Sequence, residues 1–157
     1  MKFNVGLIGK GKWGSLLKSK LTDISNLKFV LGKKKNYLNF IRENKLNWVF
    51  VATPNNTHFG IVKNCLNSGV NVFCEKPLTI NYLNAKKLFK IAKRNKVKLY
   101  VSDVYSFHNK KIKKILLSNK IVRSKNNVKG DNEFFYRFMY HDISILFNYF
   151  KNFKIKS

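Results

Sequence analysis

Lys76 lies in the stretch Val72-Phe73-Cys74-Glu75-Lys76-Pro77-Leu78-Thr79, where an apolar run meets a charged pair locked by a proline. Three consecutive apolar residues suit a strand inside a parallel sheet, covered on both faces. Glu75 and Lys76 then sit at the strand's carboxyl end, the edge where open α/β sheets take their ligands. A lysine fixed there can aim its ammonium at a bound oxygen; the alternative is a strand-end ion pair followed by a turn. A second group with chemical meaning comes earlier. Gly9-Lys10-Gly11-Lys12-Trp13-Gly14 follows the strand-like Phe3–Ile8 and runs into the helical Ser15-Leu16-Leu17. In that context Gly9 permits a tight turn, Gly11 lets the backbone approach a pyrophosphate, and Gly14 lets the helix pack closely on the strand. The helix N-terminus adds free N–H groups and partial positive charge.

About 20 residues beyond such glycines a dinucleotide-binding chain presents the residue that reads the ribose. The chain offers Gly32-Lys33-Lys34-Lys35 there. No carboxylate is at hand to favour the free 2′-hydroxyl of NAD, and Lys33 with its neighbours attracts a 2′-phosphate, so NADP is expected over NAD.

The elements that must position these groups alternate. Leu27–Leu31 is read as a second strand, Tyr37–Asn44 as a short helix, and Trp48–Val51 as a third strand. That strand ends in Ala52-Thr53-Pro54-Asn55-Asn56-Thr57-His58, a polar loop with a rigid proline in which Thr57 caps a helix running to about Ser68. His58, in that helix's first turn, reads as a hydrogen-bonded structural residue. Val72–Cys74 is the fourth strand, and Thr79 is placed to cap the helix Ile80–Asn95. In that helix Leu83, Leu88, Ile91 and Ala92 are expected to share one face. Lys98–Ser102 is the fifth strand. Such alternation predicts an α/β fold, a Rossmann-type doubly wound parallel sheet, followed by a short helical C-terminal tail.

Composition narrows the class. At 157 residues the chain is long enough to bury a core without staples. Its two cysteines, Cys65 and Cys74, lie in apolar segments outside any C-x-x-C pattern, so buried free thiols in a reducing cytoplasm are expected, and no metal site. No leader pattern and no run of about 18 apolar residues is found, which predicts no membrane partner and a cytoplasmic location. The net charge of +25 would ordinarily raise nucleic acid as a partner. The lysines are spread along the chain among many Asn, Ile, Phe and Tyr, so non-specific adhesion at low salt is expected and specific nucleic-acid recognition is not.

Gly9–Gly14, Ala52–His58 and Glu75–Thr79 together resemble, in order and spacing, the Gfo/Idh/MocA oxidoreductases, over roughly residues 1 to 118. Ser102–Lys110 resembles the segment where that family leaves its nucleotide domain. The resemblance implies an NAD(P)-dependent dehydrogenase acting on a sugar or cyclitol hydroxyl. The cofactor would be held by Gly9, Gly11, Lys12, Trp13, Gly14, Lys33, Glu75 and Lys76, with Thr53, Pro54, Asn55 and His58 along the nicotinamide side. Lys76 would bind the reacting oxygen, and its peptide to Pro77 would be cis, as is typical of the family. Further on, His141 with Asp142 and Ile143 resembles the family's acid/base segment, while Arg137 stands four residues before it, where the family has an aspartate. An arginine stays charged and cannot act as a base.

The resemblance also implies a second domain, of which residues 119–157 are expected to be a truncated remnant. Three readings follow. A reduced enzyme would complete its site with a partner subunit or a second copy; an accessory module would bind dinucleotide without turnover; a decayed enzyme would keep the fold alone.

Overall fold

The computed structural model describes residues 2–32 and 36–103. The expectations placed on Lys33, on Arg137 and His141, and on a helical tail lie outside the described residues.

The described elements alternate as expected: β1 (Asn4–Ile8), α1 (Lys12–Ile24), β2 (Asn26–Leu31), α2 (Tyr37–Glu43), β3 (Trp48–Val51), α3 (Asn55–Asn67), β4 (Asn71–Cys74), α4 (Tyr82–Arg94) and β5 (Leu99–Val101). All four pairings are parallel and the strand order is β2-β1-β3-β4-β5. The chain runs from β1 outward to β2, then back past β1 to β3. The order therefore reverses between β1 and β3, and that switch point opens a crevice at the strands' carboxyl ends.

One face of the sheet carries Ile8, Phe29, Val49, Val51, Val72, Cys74 and Leu99, packed against apolar residues of α2, α3 and α4. Phe29 reaches this face through a register shift in the β1–β2 pairing, and its ring lies where a Cβ on Gly6 would be. The other face carries Val5 and Leu7 under Leu21 of α1, with Trp48 and Phe50 partly buried beside them. Phe50 stacks on Phe73, and Trp48 stacks on Tyr100, which is 53 % exposed. This corrects the reading of β4 as covered on both faces. Val72 and Cys74 are fully buried, whereas Phe73, between them, is only half-buried because its side chain points to the face that carries α1 alone among the described helices.

Three local expectations also give way. The helix α3 starts at Asn55 with Pro54 at its cap, a position a proline tolerates because the missing N–H would be unsatisfied anyway. Thr57 lies inside the first turn, its hydroxyl bonding the Pro54 carbonyl at 2.7 Å. At α4 the cap is Asn81, whose side chain accepts from the Asn84 N–H at 3.2 Å, while Thr79 donates to the Asn81 carbonyl. Leu83 is 69 % exposed; it precedes Leu88 by five residues, roughly 140° around the helix, so Ala85 joins Leu88, Ile91 and Ala92 on the core instead.

A row of side chains ties the sheet at its opposite, amino-terminal edge. Asn26 Nδ2 donates to Asn4 Oδ1, the Asn4 N–H to Asn47 Oδ1, Asn71 Nδ2 to the Asn47 carbonyl, and the Lys98 N–H to Asn71 Oδ1, each at 2.8 Å. Read across the sheet, these residues open β2, β1, β3, β4 and β5 in turn. Each bond satisfies a main-chain group, or a neighbouring amide, that a strand end leaves open. The variant Asn71→Ala removes two of these bonds and is expected to cost about 1–2 kcal/mol in urea unfolding; an unchanged midpoint would show that the row contributes nothing.

Both cysteines are buried free thiols. Burial pushes Cys65 up to about 12 and Cys74 well above its usual value, and it raises the Tyr37 hydroxyl as well. Groups whose folded values are raised hold their protons longer in the folded than in the unfolded chain, so their stabilising effect is complete below about pH 9 and is lost as pH rises toward 12. Unfolding midpoints are expected to fall steadily over that window, with a shallower slope in Cys65→Ala. At about pH 8 neither thiol should react with a disulfide reagent until the chain is unfolded.

Candidate functional site

At the switch point the backbone of β1 continues into Gly9, whose N–H donates to the Leu31 carbonyl at 2.7 Å, and β3 continues into Ala52, whose N–H donates to the Ile8 carbonyl at 2.8 Å. Gly9 has φ +135, and a Cβ there would collide with the Ala52 carbonyl oxygen. A Cβ on Gly14 would collide with the Gly9 carbonyl oxygen. Three backbone segments are thus in direct contact: the first turn of α1, the β1–α1 turn, and the end of β3. Only glycine at positions 9 and 14 permits that contact.

Gly11 differs. It caps α1 in an extended conformation with no side-chain cap, and a Cβ built there meets nothing within 4 Å. It borders a cleft of about 370 Å³ lined by Gly9, Lys10, Gly11, Lys12, Trp13, Ala52, Thr53 and Pro54. The first turn of α1 carries no acidic residue. Uncapped N–H groups, the positive end of the helix and the flanking Lys10 and Lys12 together suit an anion. A Cβ at Gly11 would meet open space beside this cleft. Trp13, 62 % exposed, provides an apolar wall on which a flat group can rest.

On the other side of the cleft, Thr53 and Pro54 enter α3, and Thr53 Oγ1 meets Thr57 Oγ1 at 2.8 Å. Asn55 follows as the first residue of α3, half-buried. His58 stands behind this wall, with 0 % exposure. Its Nδ1 lies 2.9 Å from the Pro77 carbonyl and its Nε2 lies 2.8 Å from the Thr53 carbonyl. At the end of β4 the Glu75 N–H donates to the Val51 carbonyl at 2.8 Å, and the Lys76 N–H donates to the Glu75 carboxylate at 3.3 Å. The Lys76–Pro77 peptide is cis. Glu75 and Lys76 are half-buried while Pro77 and Leu78 are buried, so the lysine stands at the sheet's ligand edge on a turn rooted in the core.

The structure therefore gathers Gly9, Gly11, Lys12, Trp13, Thr53 and Pro54 around one cleft, sets Gly14 beneath it, and puts Glu75 and Lys76 one strand further along. Lys10 and Ala52 also line the cleft and were not singled out from the sequence. Lys10 was legible from its place between two motif glycines and Ala52 from its place at the head of the Ala52–His58 stretch, though its contact with Gly9 follows only from the strand order.

The Gfo/Idh/MocA family model, described as an oxidoreductase family with an NAD-binding Rossmann fold, matches residues 20–103. That range contains Thr53, His58 and Lys76 and begins after the glycine turn. Among curated relatives, oxidoreductase P35 of Formosa agariphila is 33% identical over 108 residues, covering 65% of this chain and 32% of that relative. The D-xylose 1-dehydrogenase (NADP(+)) of Hypocrea jecorina is 36% identical over 61 residues, 39% of this chain and 16% of its own length. The chain thus spans well under half the length of these relatives. Among solved structures, a probable dehydrogenase from Thermotoga maritima shares the fold with a TM-score of 0.63 at 24% identity, covering 73% of this chain and 40% of that one.

The two kinds of glycine predict opposite phenotypes. Gly14→Ala is expected to destabilise the unit by about 1–3 kcal/mol through overpacking. Gly11→Ala is expected to leave the thermal midpoint within a degree or two, because its new methyl enters open space. Equal thermal shifts in the two variants would contradict the geometry.

Proposed function

The chain belongs to the Gfo/Idh/MocA oxidoreductase family, and from that premise we propose that it binds a nicotinamide dinucleotide in the cleft at the switch point. The observation that carries the reading is Gly11, an empty Cβ position over the uncapped start of α1, facing Thr53 and Pro54 across the same cleft. The pyrophosphate rests against the N–H groups of α1 with Lys10 and Lys12 beside it, and the nicotinamide side lies toward Thr53, Pro54 and Asn55. NADP is favoured over NAD, since Gly32–Lys35 carries no carboxylate and Lys33 attracts a 2′-phosphate.

The reaction proposed is oxidation or reduction at a sugar or cyclitol hydroxyl. When bound, the nicotinamide supplies the hydride acceptor or donor. Lys76 handles the proton: its amine takes the hydroxyl proton in the oxidising direction, and its ammonium polarises the carbonyl and returns the proton in the reverse one. His141 is proposed as the second acid/base group. A dinucleotide-binding module without turnover is the second reading. It is favoured by the family model's matched stretch, residues 20–103, which is described as an NAD-binding Rossmann fold. In the first reading a second copy or a partner subunit completes the substrate side.

Calorimetric titration with NADPH and NADH separates these readings from the absence of function. Saturable binding is expected, tighter for NADPH, and weakened at least about tenfold in Gly11→Ala; no heat at millimolar cofactor would remove the proposal. Where binding occurs, cofactor reduction with a panel of sugars and cyclitols tests turnover. Loss of about 10²–10⁴ in rate in Lys76→Ala supports the enzyme, and no turnover by the wild type with any of them supports the module.

A further inference from the structure

His58 is a polar ring with no exposed surface, inserted between two loops that come from different strands. Burial of an imidazole is unfavourable unless its nitrogens find partners, and a phenyl ring of similar shape would fill the same space without that cost. The partners here are both main-chain carbonyls: Thr53, just past β3, and Pro77, just past β4. A neutral ring carries a single N–H and donates to one carbonyl at a time. With both nitrogens facing carbonyl oxygens, a singly protonated ring bonds one loop and packs against the other, whereas a doubly protonated ring donates to both.

The residues joined in this way are those that need a fixed relation. Thr53 lines the cleft and is held from the other side by Thr57. Pro77 directly follows Lys76 and is buried with Leu78 in the core. The path Thr53–His58–Pro77–Lys76 connects the proposed nicotinamide wall to the proposed proton-handling lysine without passing through solvent. We propose that His58 is a positioning residue, a brace that makes the β3–α3 loop and the Lys76–Pro77 turn respond to dinucleotide as one unit. This rests on the reading of the cleft as a dinucleotide site.

The test uses the full chain with NADPH, titrated by calorimetry and followed by backbone amide resonances. In the wild type the amides of Thr53 and of Glu75, Lys76 and Leu78 are expected to shift together with one dissociation constant. In His58→Phe the Thr53 response is expected to persist, the response at 75–78 to vanish, and affinity to drop about tenfold. His58→Gln, which restores one donor, should recover part of both. Leu66→Ala, a core truncation in the same helix, controls for lost stability alone; it should keep wild-type affinity and the joint response. Joint shifts and wild-type affinity in His58→Phe would overturn the brace while leaving the dinucleotide site intact. If that variant does not fold, independent titration of the two loops in the wild type would overturn the brace in the same way. A wild type that does not respond to cofactor would overturn the reading of the cleft itself, and the brace with it.

Discussion

The contact of Gly14 on Gly9 and of Gly9 on Ala52 is the constraint from which the site follows. In each pair a Cβ would meet a carbonyl oxygen, so the first turn of α1, the β1–α1 turn and the end of β3 approach as bare backbone. That approach aims the start of α1 across the switch point, where the strand order reverses and the crevice opens. With α1 tilted away by even a side chain's width, Gly11 and the uncapped N–H groups would no longer face Thr53 and Pro54.

The two edges of the sheet are built differently. At the amino-terminal edge, asparagines bond from strand to strand, and polar groups there are consumed by the protein itself. At the carboxyl edge the helix start carries no side-chain cap and the glycines leave space, so polar groups remain to be satisfied from outside. Between the edges, a core of Val, Ile, Leu and two buried thiols joins the sheet to α2, α3 and α4. The Lys76 turn gains rigidity from that core, because Pro77 and Leu78 are buried in it and His58 stands between it and the cleft wall.

Strand and helix alternation, the parallel sheet and the glycine turn were legible in the sequence because each depends on neighbours along the chain. What was not legible depends on neighbours in space. The asparagine row follows the order Asn26, Asn4, Asn47, Asn71, which is scrambled in sequence and becomes a line only once the strands are ordered. Thr57 and Thr79 have the chemistry of caps, yet Pro54 and Asn81 hold those positions; a hydroxyl bonds equally well inside the first turn. Leu83 shows that an apolar residue need not belong to the buried stripe of its helix, since its angular position sets it apart from Leu88. The sequence singled out His58 as a hydrogen-bonded structural residue, but the two carbonyls it meets come from separate loops that no spacing rule connects.

Trp13, on the wall of the cleft over Gly11, reports directly on whether that cleft accepts a dinucleotide. The chain has two tryptophans, Trp13 beside the cleft and Trp48 at the start of β3. In Trp48→Phe the emission comes from Trp13 alone, and oxidised cofactor, which does not absorb at the emission wavelength, should quench it saturably. In Trp13→Phe the same titration should leave Trp48 emission unchanged. Quenching confined to Trp48, or none at millimolar cofactor, would contradict the assignment of the site.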